Sequence, residues 1–120
     1  MSKQILIIDD DENILQALEF LLTQEGYEVS SSSTGKDALN LIHNDKSLPD
    51  VLILDILLPG YDGREIVRKL KKNKRTEKLP IIMISAHISS EVSIRECGAN
   101  LFIPKPFDIS SLLNAIETVQ

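Results

Sequence analysis

Val51–Leu54 is an unbroken apolar run, and it ends on a charge, Asp55. A strand of that kind is covered on both faces, which places it at the centre of a parallel sheet. Two other short apolar, β-branched runs behave the same way. Gln4–Ile8 leads into Asp9-Asp10-Asp11, and Asn100–Ile103 leads into Pro104-Lys105-Pro106. Each charge therefore lies just past the carboxyl end of a buried strand. In an open parallel sheet, ligands bind in the crevice outside those ends. Three carboxylates and one ammonium are expected to converge there.

Strand and helix signals alternate along the chain, as in a βα-repeating fold. The first helix starts near Asp11 or Glu12, with Ile14, Leu18, Leu21 and Leu22 as its buried stripe and Gly26 past its end. Tyr27–Ser31 is a polar strand, as at a sheet edge. Thr34 is placed to cap a helix over Gly35–Asn44, with Ala38, Leu41 and Ile42 inward. The turn dipeptides Pro59-Gly60 and Asp62-Gly63 open a helix over Arg64–Lys72, with Ile66, Val67 and Leu70 inward. A fourth strand, Ile81–Ile84, follows Pro80, and a short helix is expected over Ser90–Cys97, before Gly98. Asp108 caps a last helix whose inner stripe is Ile109, Leu112, Leu113, Ile116 and Val119. Right-handed crossovers then give a doubly wound five-stranded parallel sheet, α/β in class, with helices on both faces.

At 120 residues the chain makes one domain, residues 1–120, large enough to bury a core without disulfides. Its single cysteine, Cys97, has no internal partner, which fits a reducing compartment. No apolar run approaches the ~20 residues of a membrane span. Ile5–Ile8 is too short for a signal peptide and runs into aspartates. A cytoplasmic location is expected, away from membranes. The net charge of −5 argues against nucleic-acid binding by this domain.

On a sheet ordered 2-1-3-4-5, Asp9 and Asp10 sit beside Asp55 at the topological switch point, with Ser85 ending the fourth strand and Lys105 following the fifth. Clustered carboxylates repel unless a cation neutralises them. Mg2+ suits such a site, because it takes one or two carboxylates together with water and phosphate oxygens. An aspartate can act as a nucleophile and carry an acyl phosphate. Phosphoryl transfer then needs mainly positioning and charge stabilisation, which Mg2+ and Lys105 would share while Ser85 donates a hydrogen bond.

The motifs Ile5-Leu6-Ile7-Ile8-Asp9-Asp10-Asp11-Glu12, Asp55-Ile56-Leu57-Leu58-Pro59-Gly60-Tyr61-Asp62-Gly63, Ser85-Ala86 and Lys105-Pro106-Phe107, in that order, resemble the response-regulator receiver domain. This is the CheY-like partner of sensor histidine kinases, and CheY is itself a standard example of the 2-1-3-4-5 order. The resemblance implies that Asp55 is the phosphoacceptor. It implies that Asp10 ligates the metal directly, Asp9 largely through water, and Leu57 through its carbonyl. Mn2+ would substitute for Mg2+. Ser85 and Phe102 stand where the family has its switch hydroxyl and switch aromatic, and the Lys105–Pro106 bond is usually cis. Phosphorylation would reshape the face formed by the fourth helix, fifth strand and last helix, which also serves homodimer contacts in the family. A sensor histidine kinase or phosphotransfer protein would be the donor, an effector protein or domain the reader. The domain would catalyse its own phosphorylation and dephosphorylation without turning over an external substrate. Leu57 and His87 would flank the path of the hydrolytic water; Leu57, being apolar, cannot orient that water, and His87 would crowd the entrance rather than orient it, so the phosphoryl group would be long-lived.

Three features depart from the family pattern. Ser85 replaces the commoner threonine, Phe102 lacks the hydroxyl of the frequent tyrosine, and the segment between Ser85 and Lys105 is about two residues short of the usual length. Structural readings stand beside the functional ones. Asp11 serves as a helix cap, Phe102 is a core residue unless its place three before Lys105 decides otherwise, and His87 either faces the site mouth or is solvated. His43 lies on a helix surface, Cys97 packs, and Lys71-Lys72-Asn73-Lys74-Arg75 is a solvated helix end. A flavodoxin-like flavin protein would want a Ser/Thr/Gly-rich loop where this chain has three aspartates. A small-molecule phosphatase would turn over phosphate esters. A phosphorylation-independent adaptor would not need the acidic set.

Overall fold

Strand β1 (Gln4–Ile8) runs beside β3 (Val51–Asp55) and β2 (Glu28–Ser32), and β3 runs beside β6 (Ile81–Ser85), which pairs with β7 (Leu101–Pro104). All four pairings are parallel, so the order β2-β1-β3-β6-β7 is the expected 2-1-3-4-5. The computed structural model describes residues 2–43, 48–86 and 95–120. Every residue of β3 and of β6 is buried. Alternation splits their side chains between two cores. Val51, Ile53, Ile82 and Ile84 face helix α1 (Glu12–Gln24) and the C-terminal helix (Ile109–Val119). Leu52, Leu54, Ile81 and Met83 face helices α2 (Gly35–Leu39) and α3 (Gly63–Lys72). Each such side chain contributes about 1.5–3 kcal/mol on burial.

Local chemistry ends each element. The Asp11 carboxylate accepts from the Asn13 and Ile14 amides at 2.9 and 3.4 Å and starts α1. Asp62 caps α3 by accepting from the Arg64 amide at 2.9 Å, and Asp108 caps the C-terminal helix by accepting from the Ser111 amide at 2.7 Å. Gly26 and Gly98 follow helical turns at φ +95° and +102°, a region costly for other residues.

Several boundaries differ from expectation. The buried line of α1 is Leu15, Leu18 and Leu22, whereas Ile14 is half-buried and Leu21 exposed. The helix is rotated so that Leu21 sits at the rim of a groove against Phe107 and Ile109. Thr34 occupies the cap position of α2 without a side-chain cap bond; its amide donates to the Ser32 hydroxyl at 3.1 Å. That helix stops at Leu39 and tightens into a 3-10 turn over Asn40–Ile42. The edge strand begins at Glu28, one residue later than expected, in one-to-one register with Gln4. Pro59-Gly60 closes a two-residue antiparallel ribbon, β4 (Leu57–Leu58) with β5 (Tyr61–Asp62), that the sequence did not announce. In the last helix Leu112, Ala115 and Ile116 are buried, while Ile109, Leu113 and Val119 are half-buried. Of the short helix expected over Ser90–Cys97, Arg95–Cys97 are helical and the rest lies outside the described residues.

Candidate functional site

Asp55 is the last residue of β3, Ser85 the last of β6, and Asp9 directly follows β1. The parallel register brings these ends level. One carboxylate oxygen from each of Asp9, Asp10 and Asp55 lies within 4.8 Å of the other two. Asp9 is fully buried and Asp55 nearly so, whereas Asp10 is exposed. The Asp9 carboxylate is oriented by the Asp11 amide, which donates to its Oδ1 at 2.9 Å.

Lys105 supplies the opposing charge. Its Nζ donates to Asp9 Oδ2 at 2.8 Å and to Asp55 Oδ2 at 3.2 Å. Its backbone is tied to the end of β6, where the Lys105 amide donates to the Ser85 carbonyl at 2.7 Å; the Lys105–Pro106 peptide is cis. Burial pushes the Asp55 carboxyl above its ordinary pKa, and the Asp9 charge adds to this, against the pull of Lys105. Burial works against the Lys105 ammonium, but its bond to Asp9 and the two carboxylate charges outweigh it and hold its pKa above the usual value.

The donor set is made of hard carboxylate oxygens, two of them on buried residues whose repulsion one ammonium does not fully cancel. That set fits Mg2+, with Asp9, Asp10 and Asp55 as the residues able to hold it. Leu57, two residues after Asp55, is exposed at the start of the ribbon, beside the site. Ser85 is buried at the end of β6. Phe102 is half-buried on β7, opposite Met83, and packs against the core under α2 and α3. His87 lies outside the described residues.

Sequence reasoning passed over what holds the Asp55 loop in place. Gly63 was legible only as a turn residue. A Cβ there would lie 2.5 Å from the Asp55 carbonyl oxygen and 2.9 Å from the Ile56 Cα. The Gly63 amide also donates to the Ile56 carbonyl at 2.6 Å. Close backbone approach, not only turn geometry, therefore requires glycine. Gly35 plays a similar part for the ribbon, since a Cβ on it would meet the Tyr61 ring at 2.8 Å. The glycine spacing was visible, but nothing in one sequence shows which backbone will lie against it.

Comparison with known proteins agrees with this geometry. The family model for the response regulator receiver domain matches residues 5–117. A CheY-like response regulator receiver domain protein from Methanospirillum hungatei JF-1 is 32% identical with a TM-score of 0.87, over 98% of this chain and 93% of that one. The chemotaxis response regulator CheY4 of Vibrio cholerae is 29% identical with a TM-score of 0.89, over the whole of both chains. Response regulator protein TrrA from Thermotoga maritima, solved in complex with Mg2+-BeF, is 29% identical with a TM-score of 0.86, over 98% of this chain and 99% of that one.

Proposed function

The chain belongs to the response-regulator receiver domain family of two-component signalling, and we propose that Asp55 is its phosphoacceptor. One observation carries this assignment. Among the carboxylates of the cluster, Asp55 alone ends a fully buried central strand and at the same time holds Lys105 at 3.2 Å. A buried carboxylate at a strand end has no inexpensive structural role.

In the reaction, one Asp55 carboxylate oxygen attacks the phosphorus of a phosphohistidine on a histidine kinase or phosphotransfer protein. The P–N bond breaks as the P–O bond forms, and the imidazole leaves with the electron pair and takes up a proton. The attacking form is the ionised carboxylate, which the neighbouring Lys105 charge favours. Lys105, already beside Asp55, balances the added phosphoryl charge. Ser85 donates its hydroxyl to a phosphoryl oxygen, and Phe102 follows that movement on the adjacent strand. When bound by Asp9, Asp10, Asp55 and the Leu57 carbonyl, Mg2+ would spread the charge of the phosphoryl oxygens. Mn2+, of similar ligand preference, would serve in its place. No turnover of an external substrate is part of this reading, and the reader of the switch is an effector protein or domain. Among the described residues no helix is long and apolar enough to cross a membrane.

The test is labelling with a small acyl-phosphate donor, read by intact-mass spectrometry with Mg2+ or with a chelator. Wild type should gain one phosphoryl group only with Mg2+, and Asp55→Asn none. Equal labelling of both proteins would overturn the assignment.

A further inference from the structure

Eight of the 13 Lys and Arg residues fall between Arg64 and Lys78, against two acids, in a chain whose net charge is −5. That segment carries +6, so the remainder of the chain carries −11. The segment is nearly all of α3 and the turn leading to β6, and its C-terminal part lies at the opposite end of the sheet from Asp55. A helix C-terminus attracts cations through a partial charge of about −0.5, which accounts for one or two lysines in its last turn. It does not account for Lys74, Arg75 and Lys78, which lie beyond the helix.

The segment sorts its charges. Arg64 and Arg68 pair with Asp62 and Glu65. Lys71 is turned inward, donating to the Leu79 carbonyl at 2.7 Å and to Asn100 Oδ1 at 3.1 Å. Lys69, Lys72, Lys74 and Lys78 are exposed and hold no ion pair or side-chain hydrogen bond among the described residues. Their backbone is fixed. Thr76 is fully buried and donates its hydroxyl to the Leu70 carbonyl at 2.6 Å. The Asn73 side chain accepts from the Arg75 amide at 3.0 Å, and Arg75 Nε donates to the Leu41 carbonyl at 3.2 Å. The four ammoniums are thus presented from the end of a helix and a pinned turn, not from a loose loop.

We propose that this surface, Lys69, Lys72, Lys74 and Lys78 on the end of α3 and the following turn, docks an acidic segment of a partner protein. The surface itself selects that partner. No aromatic residue lies between Tyr61 and Phe102, so bases have nothing to stack on. None of the exposed large hydrophobic residues, Phe20, Leu21, Leu57 and Tyr61, belongs to the segment, so nothing inserts into a bilayer. The −11 of the remaining chain repels a long polyanion that overruns the patch. A short run of carboxylates fits, and ammoniums accept it without strict geometry. Docking there is independent of the Asp55 chemistry at the other end of the sheet.

The probe is a decaglutamate peptide, titrated into the 15N-labelled full chain at about 50 mM salt, where the screening length still spans the patch. Amide shifts should concentrate on Lys69–Lys78, and Asp55 labelling should be unchanged. The variant Lys69→Gln/Lys72→Gln/Lys74→Gln/Lys78→Gln, with unaltered melting, should bind about tenfold more weakly or worse. If it fails to fold, Lys72→Glu/Lys78→Glu replaces it. A mixed-sequence duplex of about 20 base pairs and phosphatidylserine vesicles are titrated in parallel, since either polyanion would respond to the same lysines. Tighter binding of the duplex or the vesicles than of the peptide overturns the proposal. So do absent shifts, shifts centred elsewhere, or equal affinity of the variant.

Discussion

Lys105→Met removes the single ammonium that two buried carboxylates share. At an effective dielectric of about 20, its attraction to Asp9 at 2.8 Å is ~6 kcal/mol and to Asp55 at 3.2 Å ~5 kcal/mol, before desolvation. Taking the ammonium out of water returns several kcal/mol of this. The loss is also capped, because at pH 7 a stranded carboxylate escapes by taking a proton at a cost of about 4 kcal/mol. The expected destabilisation without Mg2+ is therefore about 3–4 kcal/mol, in the range for breaking one partner out of a buried pair. For 120 residues this lowers the melting temperature by roughly 12–16 °C. The pH dependence has a definite sign. Asp55 already has a raised folded pKa, so its protonated form contributes stability that is present below about pH 4 and lost as pH rises through the folded value. Without Lys105 that value rises further, and the deficit against wild type should shrink from pH 7 to pH 5. Mg2+ should recover more stability in the variant than in wild type, by mass action on the freed carboxylates. Calorimetry in chelator, at both pH values and then with Mg2+, reads all three. A melting temperature within about 2 °C of wild type at pH 7, or a deficit unchanged at pH 5, would refute the reasoning.

Gly63→Ala forces a Cβ against the Asp55 carbonyl and should cost about 1–3 kcal/mol in urea unfolding while slowing acyl-phosphate labelling; a neutral effect on both would remove Gly63 from the support of the site. Asp10→Ala should weaken Mg2+ binding with little change in stability, since Asp10 is exposed, whereas Asp9→Ala should lower stability by removing the nearer partner of Lys105 and the acceptor of the Asp11 amide; NMR metal titration and thermal melting in chelator separate the two. Asp62→Ala should cost about 1 kcal/mol through loss of the α3 cap. The Asp62 side-chain bond to Arg64 holds its folded pKa below the usual carboxylate range. Its stabilisation is therefore present above about pH 4 and lost as pH falls through the folded value, so wild type and Asp62→Ala should converge in acid.

The strand ends were legible because both faces of the central strands are covered, and an apolar run that stops at a charge marks where that cover stops. Hence Asp9, Asp55, Ser85 and Lys105 were placed correctly at their strand ends. Helix rotation was less legible. Ile14, Leu15, Leu18, Leu21 and Leu22 offer two overlapping apolar stripes, and only packing against the sheet selects the one containing Leu15. The β4–β5 ribbon was hidden because two residues give no period, and its support by Gly35 and Gly63 depends on which backbones meet. The convergence of Lys105 on both Asp9 and Asp55 follows from topology, across 96 and 50 residues of chain, which no local pattern reports.

The central claim is that Asp55 carries the phosphoryl group. Borohydride reduces an aspartyl phosphate to homoserine, which marks the modified residue permanently. Wild-type protein labelled with an acyl phosphate in Mg2+, reduced and digested, should yield homoserine at position 55 in tandem mass spectra, and at no other aspartate. Homoserine at Asp9 or Asp10, with Asp55 intact, would contradict the account.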